Sequence, residues 1–512
     1  MDSNWYLASD SRRAGAAQRR SARLRCGLAA LCCLALSSCA VGPDFHSPVL
    51  PAAAGKSYSA EPIPARTAAA AGQGSAGAAQ HLVYGQELPA QWWGMFRSEA
   101  LNQLIQRALE QNPTLASARA SLRQARENYQ ATTGSLYYPQ VSGQLGANRE
   151  RATSYSTIPS DYTLYSATVS VSYSLDVFGS SRRQLEALKA AVDYQQYEVE
   201  AAYQTLVSNV VTTAIQEASL RAQLEATQQL LKAQQQQLEV IRKQLALGGV
   251  AYSAVLSQGS LVAQTRAQLP SLEKSLAQTR HQLAVYAGAF PGEGGLPEFQ
   301  LDKLHLPPEL PVTLPSSLAK QRPDIRASEA LLHQASAQLG VATANLYPQF
   351  NLSGSYGVDR VVMGAVSANS TLWNLGLGIT QPLFDGGALR AKRRAADAAY
   401  EQAAANYRET LLKAFQNVAD ALRAVDADAT ALRAQAEVET QAATALKLAQ
   451  RQHALGGISY LSLLDAERTY QQARVSSASA RAARLTDSVS LFVALGGGWW
   501  NRPAEPAAAS SR

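Results

Sequence analysis

Shifted against itself by roughly 208 residues, the chain repeats, so its fold must be built from two copies of one unit. Asn112-Pro113 with Leu136-Tyr137-Tyr138-Pro139-Gln140 matches Arg322-Pro323 with Leu346-Tyr347-Pro348-Gln349. Phe178-Gly179 with Arg182 and Arg183 matches Phe384-Asp385-Gly386 with Arg390, and Leu247-Gly248-Gly249-Val250-Ala251-Tyr252 matches Leu455-Gly456-Gly457-Ile458-Ser459-Tyr460. Each half reads helix, strand, strand, long helix, Gly-Gly turn, long helix. The first repeat is expected over 91–290 and the second over 316–498, with a Pro-rich linker at 291–315 and a tail at 499–512.

The strands alternate with a period of two. Tyr165, Ala167, Val169, Val171, Tyr173, Leu175 and Val177 fall on one face, against Ser166, Thr168, Ser170, Ser172, Ser174 and Asp176 on the other. The same pattern places strands at about 137–150, 162–178, 347–360 and 371–384. A face of apolar residues backed by small polar ones suits a barrel with lipid outside and water inside, although a soluble sheet with one wet face alternates in the same way. Tyr137, Tyr138, Tyr162, Tyr347 and Trp373 lie near strand ends, where an aromatic girdle would sit. Four strands are too few to close a barrel, so spanning a membrane requires two copies or three.

The helices are long. No proline or glycine occurs from Ser181 to Leu247, a stretch that as one helix spans about 100 Å. Leu185, Val192, Val199, Leu206, Thr213 and Leu220 lie seven apart, and after a four-residue stutter Leu224, Leu231, Leu238 and Leu245 resume the spacing. Leu411, Val418, Val425 and Leu432 repeat it in the second half. Helix pairs are expected at about 181–287 and 387–495, with Pro270 bending the first where Ala478 leaves the second straight. A two-stranded scaffold coiled coil shares these heptads but has no use for the strand hairpins.

The first 38 residues read as an address. Six arginines precede an apolar run from Cys26 to Leu36, and Leu36-Ser37-Ser38-Cys39 follows, as in a lipoprotein signal whose cysteine becomes the acylated N-terminus. All four cysteines lie within the first 39 residues, so the remainder has no disulfide or cysteine metal site. With Asp2 and Asp10 set against those arginines, 40 basic and 37 acidic residues remain elsewhere without clusters, which removes the basis for nucleic-acid binding. Residues 39–90, rich in Pro, Ala and Gly, are expected to form a lipid-anchored tether, with order beginning near Trp92. His46, His81, His281, His305, His333 and His453 never pair at metal-ligand spacing, and no nucleotide-binding or nucleophile motif occurs. An enzyme is therefore not expected, nor any cofactor beyond the lipid on Cys39.

Five segments together resemble one family. They are Cys39-Ala40-Val41-Gly42-Pro43-Asp44-Phe45, the paired Leu-Tyr-Pro-Gln segments, Phe384-Asp385-Gly386-Gly387, Tyr460-Leu461-Ser462-Leu463-Leu464-Asp465-Ala466-Glu467-Arg468, and Ala494-Leu495-Gly496-Gly497-Gly498-Trp499-Trp500. They are similar to the outer membrane factors of tripartite efflux pumps, the TolC-like proteins, in their NodT-like lipoprotein branch, over about residues 36 to 500. The resemblance implies a mainly α fold carrying a membrane β-barrel. Three internally duplicated chains would give twelve strands and, below them, a periplasmic barrel of coiled-coil helices. It implies a passive conduit in the outer membrane of a Gram-negative bacterium that exports small molecules. The alternative is the exit duct of a type I protein secretion system; a coiled-coil envelope scaffold and an enzyme are the readings from other classes. The implied partners are two further copies, a periplasmic adaptor, a proton-driven inner-membrane pump and outer membrane lipid.

Three sites follow from it. Cys39 carries lipid. The turns Gly248, Gly249, Val250 and Gly456, Gly457, Ile458 are periplasmic tips for adaptor docking. Leu461, Asp465 and Arg468, at i, i+4 and i+7, share one helix face and would ring a closed aperture, Leu461 as the constriction, Asp465 as a cation-favouring ring and Arg468 as an ion-pair partner between helices.

Overall fold

A computed structural model describes residues 41–49, 57–59, 61–152 and 160–502. In chain order the elements are β1 (His81–Tyr84), α1 (Glu99–Gln111), α2 (Pro113–Tyr137), β2 (Gln140–Ala152), β3 (Ser160–Leu175), α3 (Ser180–Ala246), α4 (Tyr252–Tyr286), β4 (Glu309–Val312), α5 (Pro315–Gln321), α6 (Pro323–Ala344), β5 (Gln349–Met363), β6 (Val366–Thr380), α7 (Ala388–Ala454) and α8 (Tyr460–Ala494). The long helices are duplicated residue for residue: α3 and α7 each have 67 residues, α4 and α8 each 35. Contacts divide the chain into two units, one of residues up to 47, 123–193 and 330–405, the other of the remainder.

The first unit holds an antiparallel sheet in the order β2-β3-β5-β6. Its register aligns the two faces anticipated from alternation. Val141, Val171, Gly354 and Leu375 form one row across the four strands, and Gly143, Val169, Tyr356 and Trp373 the next. Ser142, Ser170, Ser355 and Asn374 form a row on the other face. The apolar face is bare within the chain, with Leu145 86%, Trp373 75% and Leu375 75% exposed. From Phe350 to Val358 this band runs about 27 Å at the usual strand rise, close to the thickness of a hydrocarbon core. β2 and β6 each have a neighbour on one side only, leaving two edges that lipid would not tolerate. Several strand limits differ from expectation, β3 ending at Leu175 and β6 at Thr380, short of 178 and 384. β2 begins at Gln140 because Tyr137 still closes α2, and β6 begins at Val366, next to the turn glycine Gly364.

The second unit carries the apolar core. Trp92, Phe96, Leu101 and Ile105 pack with Leu485 and Phe492 of α8, the Trp92 and Phe492 rings 5.6 Å apart. In α7 the heptad residues Leu411, Val418, Val425 and Leu432 are all buried. In α3 the spacing fits less well: Leu185, Leu206, Leu220 and Leu238 are buried, and the fully enclosed seam is Val207, Val210, Val211, Ala214 and Ile215. Helix α4 runs unbroken through Pro270.

The tether is corrected. Order does not begin near Trp92, because β1 pairs in parallel with β4, His81 to Tyr84 alongside Glu309 to Val312, and Leu82 and Leu88 are buried in the core. The Pro-rich 291–315 linker likewise buries Phe299, Leu301, Leu304, Leu310 and Val312. Proline excludes these stretches from helices but not from an extended strap, in which a few well-spaced apolar side chains reach the helices while the two straps satisfy each other's backbone. Buried Arg484 on α8 helps fix the strap by donating to the carbonyls of Ala76 (2.6 Å) and Ala78 (3.0 Å).

Candidate aperture and docking turns

The two Gly-Gly reversals have one geometry. The Gly249 N–H donates to the Gln244 carbonyl (2.8 Å) and the Gly248 N–H to that of Leu245 (2.9 Å). In the second half Gly457 donates to Gln452 (2.8 Å) and Gly456 to His453 (3.0 Å). These are Schellman caps, and they need the left-handed backbone that Gly248 (φ 74°) and Gly456 (φ 76°) supply. Just before each cap a leucine protrudes, Leu247 and Leu455, each 87% exposed. Val250 and Ile458 beside them are half-buried. The following helices start differently: the Ser459 hydroxyl accepts from the Ser462 N–H (3.2 Å), whereas Ala251 has no side chain able to cap α4.

Leu461, Asp465 and Arg468 all lie on one side of α8, and all three are exposed. With Ser257, Ser260, Leu261 and Gln264 of α4 they line a groove of about 600 Å³. Among the described residues no ion pair within the chain joins Asp465 to Arg468, so both charges face the groove of a single copy. Shifted by the repeat, the three positions correspond to Ser253, Ser257 and Ser260, and the groove therefore sets a charged face against a hydroxyl one.

Three features of α8 were not anticipated. The Tyr460 hydroxyl donates to Gln258 Oε1, and Gln258 Nε2 donates to the Gln234 carbonyl (2.8 Å), linking α8 to α4 and α3 through a fully buried amide. Burial pushes the Tyr460 phenol well above its usual range, with the nearby Glu467 charge adding to the effect. Glu467 lies in the seam between helices with its Oε2 unpartnered, and burial raises its pKa. Farther along α8, burial pushes the Asp487 carboxyl up to about 7, aided by the hydrogen bond and charge of Asp428 on α7. Comparing the halves position by position would have flagged Gln258, because its counterpart is Ala466. The buried carboxyls carry no such signal, since Asp and Glu on an Ala-rich helix read as solvated.

Cys39 lies outside the described residues. Among the described residues no group of three or more His, Cys, Asp or Glu could hold a metal ion, and no helix is long and apolar enough to cross a membrane.

The family model described as outer membrane efflux protein matches residues 104–289 and 314–497, one segment for each half. The chain is 34% identical over 423 residues to the pyoverdine export outer membrane protein OpmQ of Pseudomonas aeruginosa, covering 80% of this chain and 87% of that one. It is 30% identical over 493 residues to nodulation protein T of Rhizobium leguminosarum bv. viciae, covering 94% and 95%. Among solved structures, the outer-membrane channel OprN superposes with a TM-score of 0.78 at 27% identity, covering 90% of this chain and all of that one. These relatives do not favour the protein-secretion alternative. With an apolar sheet face of membrane height, two open edges, duplicated helices and these likenesses together, the chain belongs to the outer membrane efflux protein family and is an outer membrane efflux channel that reaches into the periplasm, three copies closing its twelve-stranded barrel.

Proposed function

We propose that this channel is the exit duct of a three-part export machine. A periplasmic adaptor grips its helical tips, a proton-driven inner-membrane pump loads it, and lipid on Cys39 holds it to the outer membrane. The chain performs no bond chemistry and holds no cofactor; it supplies a path, and the pump and adaptor choose the small molecule that takes it. One observation carries the reading: the two reversals share one hydrogen-bonded geometry and one protruding leucine, so a trimer presents six similar knobs to a repeated helical partner. At rest the path is narrowed by rings of Leu461, Asp465 and Arg468, and an exposed ion pair from Arg468 to a neighbouring copy is weak enough for adaptor binding to release.

The turn glycines differ in a way that gives a clean test. At Gly249 and Gly457 an added Cβ would meet only the carbonyl oxygens and, at the edge of contact, the side chains of Gln244 and Gln452, the oxygens at 3.4 Å, with no left-handed strain. Gly249→Leu with Gly457→Leu therefore adds bulk at the tips without unfolding them. Drug export should fall while trimer assembly and bilayer conductance persist. Undiminished export would remove the tips as the docking surface.

A further inference from the structure

The motif that follows Cys39 is more than a spacer. The Val41 N–H donates to the Phe178 carbonyl (3.1 Å), three residues beyond the end of β3 and just ahead of α3. Gly42 (φ 111°) rests on Gly340 of α6 so closely that a Cβ on Gly42 would lie 2.7 Å from the Gly340 Cα. Gly340 is itself packed: its own Cβ would come within 2.9 Å of the Arg183 side chain. Arg183, only 5% exposed, fans out from α3 to the Asp44 carboxylate (2.6 Å), the Gly42 carbonyl (3.4 Å) and Glu186 (2.8 Å). Glu186 in turn meets His333 Nε2 of α6 (2.8 Å), and the Phe45 ring stacks flat on His333, with centroids 4.3 Å apart and planes inclined by 12°.

The cradle occurs once per chain. Shifted by the repeat, Arg183 and Glu186 correspond to Ala391 and Arg394, and His333 and Gly340 to Arg123 and Gln130. The duplicated scaffold has therefore diverged at the four positions that receive Val41–Phe45. Two of them belong to the first half and two to the second, so the segment bridges halves that the sheet joins through β3 and β5 alone.

We propose that Val41–Phe45 is a clasp that seats the N-terminus at the strand–helix junction and pins α3 to α6 there. Cys39 is two residues upstream of Val41, and the reach of the chain keeps it within about 7 Å of that anchor. The acyl chains then enter the bilayer beside the barrel's own rim rather than from a free leash. The placement of the acyl chains rests on lipidation of Cys39; the clasp itself does not.

A nitroxide on His46→Cys, an exposed position outside these contacts, reports on the strap in the full-length trimer in lipid nanodiscs. The parent should give an immobilised line shape, Asp44→Ala with Phe45→Ala should shift it to a mobile one, and Phe45→Tyr should keep it immobilised. Gly340→Leu, which fills the cradle from the other side with the strap intact, should also mobilise it. A mobile label in the parent, or an immobilised one in both disrupted variants, overturns the clasp. Intact mass of the mature chain separately reads acylation: an unacylated Cys39 removes the lipid placement, while the line shapes still decide the clasp.

Discussion

The two long hairpins, α3/α4 and α7/α8, have equal helix lengths and equal turns, yet they use the equivalent tyrosines after those turns in opposite ways. Tyr252 on α4 is 62% exposed, while Tyr460 on α8 turns inward to the buried Gln258. The divergence continues along the same helices. Ser253, Ser257 and Ser260 stand where α8 has Leu461, Asp465 and Arg468, and Leu276 and Thr279 stand where it has Arg484 and Asp487. The two copies share length and reversal and differ in where their polar groups lie: α8 carries the charges along the groove, while the first hairpin buries Glu217 between Arg221 and Arg280. Along the groove the first hairpin presents hydroxyls and the second presents charges.

The sharpest way to break that comparison is to treat both hairpins alike. Asp465→Ala with Arg468→Ala should raise the conductance of the isolated channel and lower its cation preference, with the trimer intact. Three exposed ion pairs between copies, at about 0.2 to 1 kcal/mol each, would make a lock of a few kcal/mol at most. The mirror change, Ser257→Ala with Ser260→Ala, should alter neither quantity in planar-bilayer recordings. Equal responses from the two pairs would show that the helices are not specialised.

Much of this architecture was legible in the sequence because the signals were periodic. Strand faces follow from a period of two, and the register β2-β3-β5-β6 places Val169, Tyr356 and Trp373 in one row as alternation requires. The Gly-Gly turns follow from glycine's freedom at positive φ. What escaped was aperiodic. The strap containing Leu82 and Leu88 buries a few side chains without repeating them, so its composition reads as a tether. Gln258 and Glu467 escaped because burial of a polar group depends on what a second and a third helix bring to it. The clasp residues Arg183 and His333 lie 150 positions apart and meet only through the fold.

A smaller effect sharpens the comparison at the tyrosines. Tyr460→Phe removes the donor to Gln258 Oε1 and leaves that acceptor enclosed, at a cost of about 1 to 3 kcal/mol. Tyr252→Phe, at an exposed position, should stay within about 0.5 kcal/mol. Denaturant titration of the two variants measures the difference. A tip loosened in this way should also open more often in single-channel recordings.

The smallest effect depends on pH and belongs to α8 alone. Burial, with the hydrogen bond and charge of Asp428, pushes the Asp487 carboxyl up to about 7, against about 3.9 for an unfolded chain. Between those values the folded protein keeps a proton that the unfolded chain has lost. The pair therefore stabilises the fold fully below about pH 4, and that contribution is lost as pH rises through about 7, where the carboxyl must ionise beside Asp428. Solvent reaches part of the site, so screening reduces the effect to the order of 1 kcal/mol. The melting temperature of the parent trimer should fall from pH 5 to pH 8 relative to Asp487→Asn, which keeps the hydrogen bond without the charge. Asp487→Thr, which restores the residue of the first hairpin, should flatten the difference in the same way. Parallel pH profiles in all three proteins would mean that the carboxyl does not change its proton in this range, and that α8 differs from α4 at this level only in packing.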